Sequence, residues 1–147
     1  VVIALVLGLE ASSRVVAQPT VREARLLVTI VTRNDRGKVF CAIWRGPEGY
    51  PTERARAVGF ARDRTIVDRQ GHCAFDGLTV GAEYAVAVFH DENANNELDR
   101  GLFGIPTEGT GASNDASGFM GPPPYDGARF VIPPVAEHTM TIRVGYP

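Results

Sequence analysis

The chain has 147 residues, enough for one domain with a real hydrophobic core. Its 15 Lys+Arg and 17 Asp+Glu give a formal net charge of -2, and both signs are scattered along the sequence. That excludes a basic patch for nucleic acid and a polybasic segment for an anionic membrane.

Residues 1–9 form an apolar run too short to span a bilayer but of the length of a secretory h-region. Val15 and Ala17 precede Gln18 at the spacing of a cleavage site, so the sequence predicts a signal peptide over 1–17, cleaved after Ala17. A short buried helix or an uncleaved anchor is the other reading. The mature chain, 18–147, is then a single exported domain, periplasmic or extracellular, with no membrane span.

Beyond Gln18 the apolar pattern has period two, in short runs bounded by Gly, Pro, Asn and Asp, which predicts an all-β domain. Leu26, Val28 and Ile30 alternate with Leu27, Thr29 and Val31. The turn chemistry of Asn34-Asp35-Arg36-Gly37 then predicts a hairpin into a strand over 38–45. In that second strand both faces are apolar, so it is expected to be central. Residues 46–64 read as a loop with one helical turn. Short strands are expected over 65–68 and 72–75, a turn over 76–81, and a strong strand over 83–89, whose Ala85 and Ala87 suit close approach of another sheet. The segment 91–126 is rich in Gly, Pro and Asn and far exceeds ordinary loop length, as functional or disordered loops do. Strands over 128–132 and 139–144 flank Pro133-Pro134. About seven strands and no crossover helix predict a Greek-key β-sandwich.

Cys41 and Cys73 are the only cysteines and fall on different predicted strands. An exported chain allows a disulfide between them, which would stabilise the fold by roughly 3–4 kcal/mol; two buried free thiols are the alternative.

The densest chemistry is His90-Asp91-Glu92-Asn93-Ala94-Asn95-Asn96-Glu97-Leu98-Asp99. Asp91, Asn93 and Asn95 stand where positions 1, 3 and 5 of a calcium loop supply oxygens. Glu97 offers a carbonyl at position 7, and Asp99 falls at position 9. Position 12 is Leu102 rather than a bidentate Glu, so the loop is no EF-hand and Glu108 is a candidate to close the set. Hard oxygen donors favour calcium over zinc. The competing reading is a loop whose Asx side chains cap their own backbone without an ion.

The run Gly77-Leu78 to Gly81, Tyr84-Ala85, Phe89-His90-Asp91, Asn93, Asn95, Leu98-Asp99, Phe103-Gly104-Ile105-Pro106, Glu108-Gly109, Gly111, Ser113-Asn114 and Gly121-Pro122-Pro123 resembles the DUF2141 family of exported bacterial proteins of unknown function. The resemblance implies an exported β-sandwich laid out like transthyretin-like or Cna-B-type modules, and it implies no activity. Asn96 stands where the family usually has Gly; Asn is the least costly other residue for positive φ. Ala112 stands where the family often has an aromatic residue.

The expected function is that of a binding or structural interaction module of the cell envelope, with an envelope protein or glycan as partner. The alternative is a hydrolytic enzyme using His90 and loop carboxylates, with Ser113 as the nucleophile a triad would need. No nucleophile elbow surrounds Ser113, and His72 and His138 lack metal-ligand spacing. Trp44, Tyr50, Tyr125 and Phe119 would suit a stacking surface for sugar or peptide, or serve as core anchors.

Overall fold

The structure is a computed structural model and describes residues 2–18 and 20–147. Residues 2–18 carry neither helix nor strand and lie exposed. No helix among the described residues is long and apolar enough to cross a membrane. Among the described residues eight strands follow: β1 (Glu23–Val31), β2 (Lys38–Trp44), β3 (Gly59–Asp63), β4 (Gln70–Thr79), β5 (Glu83–Asp91), β6 (Gly109–Ala112), β7 (Phe130–Val131) and β8 (Glu137–Arg143). One helical turn, α1 (Tyr125–Ala128), precedes β7.

The strands form two sheets. One has the order β4-β1-β8, with β1 antiparallel to β4 and parallel to β8. The other has the order β3-β2-β5-β6, with β7 paired to the start of β5. Alternation then decides what lies between them. Leu26, Val28 and Ile30 of β1 and Ile142 of β8 meet Val39, Cys41 and Ile43 of β2 and Val86 and Val88 of β5 in one buried cluster. Each such side chain contributes about 1.5–3 kcal/mol when fully buried. Cys41 and Cys73 face each other across this core as a disulfide, Cα–Cα 6.5 Å, tying the two sheets together.

Several expectations need correction. The predicted hairpin over residues 26–45 does not form: β1 and β2 lie in different sheets, and Asn34-Asp35-Arg36-Gly37 carries the chain from one to the other. Both flanking strands are apolar on their inner faces, and period two alone does not say which neighbour each one takes. The predicted loop 46–64 contains β3, hidden because its inward residues are Gly59 and Ala61 and its outward ones Phe60 and Arg62. Residues 65–68 are loop rather than strand, with Asp68 and Arg69 at positive φ. The expected turn at 76–81 begins later. Strand β4 runs on to Thr79 through an irregularity opposite Arg25, where Gly77 sits at φ 69° as a β-bulge requires. In the predicted strand 128–132, Ala128 belongs to α1 and only Phe130–Val131 pairs. As expected, β2 is central, between β3 and β5. The alanines of β5 face away from the second sheet, however; Tyr84, Val86 and Val88 point inward instead.

Candidate functional site

Strand β5 carries its inward alternation one step past Val88, so His90 ends up at the end of the core with no exposed surface. Its Nε2 lies 2.6 Å from the Arg36 carbonyl oxygen and its Nδ1 2.7 Å from the Tyr146 hydroxyl. A carbonyl oxygen only accepts, so Nε2 carries the proton, and in the neutral ring Nδ1 accepts from Tyr146. That hydroxyl in turn accepts the Arg33 N–H at 2.9 Å, while the Arg33 guanidinium lies 4.4 Å from the centroid of the Tyr146 ring. The imidazole thus pins three segments distant in sequence.

The next residues build the loop. Asp91 is fully buried, and its carboxylate accepts the backbone N–H of Asn95 at 3.1 Å and of Asn96 at 2.8 Å. Asn93 Oδ1 accepts the N–H of Asn95, and Asn95 Oδ1 that of Glu97. The amide groups of Asn93 and Asn95 both donate to the Asp99 carboxylate, at 2.5 and 2.7 Å. Glu108, brought back by the long segment, accepts the N–H of Glu92 with one oxygen and of Asp99 with the other, both at 3.1 Å, closing the loop at its neck. Asn96 adopts φ 70°, as its place in the pattern requires, and Lys38 Nζ donates to its Oδ1 at 2.6 Å.

Four of the five expected ligand residues, Asp91, Asn93, Asn95 and Asp99, therefore belong to one hydrogen-bonded ring. Glu97 joins it through its backbone N–H. The ring has the oxygen chemistry of a calcium site and also closes by itself: its Asx oxygens take backbone donors, and the amide nitrogens face Asp99. Binding an ion requires Asn93 and Asn95 to turn their oxygens toward Asp99, a change of side-chain rotamer within a backbone already shaped by Asp91. Among the described residues no group of three His, Cys, Asp or Glu stands in metal-holding geometry.

Glu92 holds the loop to the body of the domain. Burial pushes its carboxyl up, but hydrogen bonds from Arg33 (2.7 Å) and Asn34, with the charge of Arg33, outweigh that and hold it below its ordinary value of 4.5. A depressed carboxyl stabilises the fold above its unfolded pKa, and the contribution is lost as pH falls through the folded one. The urea midpoint of Glu92→Gln should therefore lie below that of the parent at neutral pH, with the gap narrowing below pH 4.5. A gap unchanged through the acid range would show that the charge contributes nothing.

The remaining candidates are distributed differently. Ser113 is fully buried, and its hydroxyl accepts the Val86 N–H at 3.0 Å and donates to the Ala128 carbonyl at 2.5 Å. In this geometry the Ser113 hydroxyl is held by main-chain groups of Val86 and Ala128, and the His90 ring by the Arg36 carbonyl and the Tyr146 hydroxyl. Trp44, Tyr50 and Tyr125 form a series of edge-on contacts at 5.3 and 5.7 Å over the outer face of the β3-β2-β5-β6 sheet, whereas Phe119 stands apart and exposed. Burial pushes Tyr50 up to about 12, and burial beside the Glu83 carboxylate does the same to Tyr125. Within 91–126 the tip Gly101-Leu102-Phe103-Gly104-Ile105 is closed by Gly101 N–H to Ile105 O at 2.8 Å and by Arg100 Nη1 to Gly104 O at 2.8 Å. It displays Phe103 at 90% exposure, with Leu102 and Ile105 beside it.

Sequence reasoning found the loop and named Glu108 as a closing donor, but missed Arg33, Lys38 and Tyr146. Tyr146 is 56 residues from His90 and reaches it only because β8 delivers the C-terminal residues to that end of the sandwich. No local signal in the sequence carries that contact.

A family model described as an uncharacterized protein conserved in bacteria (DUF2141) matches residues 28–141. No curated protein and no solved structure matches the chain.

Proposed function

Because the chain belongs to the DUF2141 family of uncharacterized bacterial proteins, a membership that brings no activity with it, we propose its function from the loop: an exported interaction module of the cell envelope, periplasmic or extracellular, whose segment 91–126 presents the contact surface and is pinned by calcium. The single observation that carries this reading is the tip at Leu102, Phe103 and Ile105, three large apolar side chains displayed on a hydrogen-bonded turn. Ordering such a tip in advance lowers the entropy lost when a partner covers it. A disulfide and the lack of a membrane-spanning helix among the described residues accord with export. Calcium would be held by Asp91, Asn93, Asn95, the Glu97 carbonyl and Asp99. It would add a positive charge beside the Asp91 and Asp99 carboxylates, which the ring otherwise satisfies with N–H donors alone.

Calcium at 100 times its Kd should stabilise the protein by about 2.7 kcal/mol, read as a raised midpoint of thermal unfolding relative to chelator. Asp99→Ala should remove the shift and Thr141→Ala, an exposed position on β8, should keep it. No shift at saturating ion would remove calcium from the reading. Capture of an envelope component by the tagged chain should fail with Phe103→Ser; capture that survives this change would move the contact surface elsewhere.

A further inference from the structure

The register of the β3-β2-β5-β6 sheet places its outward side chains in rows. Phe40 and Phe89 stand directly opposite each other on β2 and β5, and in the next row Ala42 and Ala87 do the same. Beyond the alanines, Trp44 opposes Ala85 and is capped edge-on by Tyr50. The alanine row is therefore the floor of a trough. One wall is the stacked pair Phe40–Phe89, ring centroids 4.9 Å apart and 11° from parallel, and the other is Trp44 with Tyr50. Toward β6 the trough ends at Ala112, which Tyr125 and Ala128 bury. Toward β3 it opens onto Phe60, which is 53% exposed.

That open end is cationic. The Arg54 guanidinium lies 5.1 Å from the centroid of the Phe60 ring, and Arg62 stands opposite Phe40. Arg54, Phe60, Arg62 and Phe40 line a depression of about 320 Å³, at the lower end of the volumes that small-molecule sites occupy. The ion pairs among the described residues involve Arg25, Arg33, Arg56, Arg129, Arg143 and His90, so Arg54 and Arg62 face solvent without a carboxylate partner. In a chain of net charge -2, two unpaired guanidinium groups beside the exposed Phe60 ring and the half-buried Phe40 ring are a local anion-selecting feature.

We propose that this trough binds an acidic carbohydrate, with pyranose rings against Phe60 and Phe40 and a uronate carboxylate on Arg54 and Arg62. An extended peptide adds to a sheet through main-chain hydrogen bonds at an edge; β3 has such an edge, but the aromatic and cationic groups of this site stand on the outer face beside it, so an acidic peptide serves as the comparator that separates the two modes. Aromatic rings suit the C–H faces of sugars, and the planar forks of arginine match carboxylates in bidentate geometry. The inference rests on the reading of the chain as a binding module but uses neither calcium nor the Phe103 tip.

The test is calorimetric titration of the whole chain with a panel of acidic oligosaccharides: oligogalacturonate, alginate oligomers and hyaluronan fragments. Neutral cello-oligosaccharide and an oligoglutamate peptide serve as comparators. Emission from Trp44, the single tryptophan, gives a second readout. Saturable binding of an acidic oligosaccharide is expected, weakened at least tenfold in Arg54→Gln/Arg62→Gln and in Phe60→Ser, with thermal midpoints unchanged because all three residues are exposed. No binding across the acidic panel, equal affinity in the variants, or equal or tighter binding of either comparator would overturn the proposal. The calcium-induced thermal shift should be the same in the arginine variant as in the parent, so failure of one reading leaves the other separately measurable.

Discussion

Replacing Cys41 and Cys73 together by alanine should lower the stability of the oxidised protein by about 3–4 kcal/mol. The bridge closes a loop of sequence separation 32, and the constraint it places on the unfolded chain grows with the logarithm of that separation. The folded state has little with which to offset the loss. Both residues are buried between the two sheets, Cys41 on β2 and Cys73 on β4, so the substitution also removes packed sulfur from the core. Among the described residues this bridge is the only side-chain covalent cross-link between the sheets; the connecting segments aside, they are joined by side-chain packing, by paired main-chain hydrogen bonds between Thr110 and Gly145, and by polar links such as the His72 N–H to the Asp63 carboxylate. Urea unfolding of the parent and the double variant, both under non-reducing conditions, measures the difference. A loss below about 1 kcal/mol would mean that the unfolded chain retains enough structure to make the tie redundant.

Gly37→Ala should cost about 2–5 kcal/mol, from two separable sources. The residue has φ 68°, where a Cβ costs about 1–2 kcal/mol. The added carbon would also lie 1.9 Å from the Asp91 carbonyl oxygen and 2.8 Å from Glu92 Cα, both main-chain atoms that cannot swing aside. Overpacking of that kind typically adds about 1–3 kcal/mol. Gly77→Ala is the control, since Gly77 has φ 69° but nothing within 4 Å of the added carbon. It should cost only the conformational part. The difference between the two variants isolates the close approach of Gly37 to the start of the loop. Because the obstruction falls on Asp91, Gly37→Ala should also weaken any calcium-induced thermal shift, whereas Gly77→Ala should leave it unchanged. Equal losses in the two variants would show that the main chain at residue 91 moves freely.

Both predictions touch features with unequal visibility in the sequence. The two cysteines could be proposed as a pair from their even count alone, but only the folded sheets place them 6.5 Å apart across one core. Gly37 was legible as turn chemistry. Its role differs from that of a hairpin turn, because the chain there passes between sheets and runs against residue 91.

The alternation of Asp91, Asn93, Asn95 and Asp99, together with Asn96 in place of glycine, was enough to mark a tightly wound loop. That pattern is local: an Asx side chain reaches the N–H two residues on, whatever the rest of the fold does. Strand β3 was missed for the converse reason. Gly59 and Ala61 carry almost no hydrophobic signal and are tolerated inward only because Ile43 and Phe75 fill the space beside Gly59. Strand β6 was missed likewise, since Gly109 and Gly111 are the residues that let Tyr146, Val144 and Ile142 lie against it.

By itself the sequence determined the all-β class, the central place of β2 and the oxygen-rich loop, because period-two alternation and Asx spacing act over a few residues and need no partner. The tertiary structure decided the rest: that β1 pairs with β4 and β8, that Tyr146 and Arg33 meet at His90, and that an alanine row on β2 and β5 becomes the floor of a trough between aromatic walls. Those relations depend on which strand takes which neighbour, and many pairings bury similar apolar area. The choice is made by the packing of the whole chain at once.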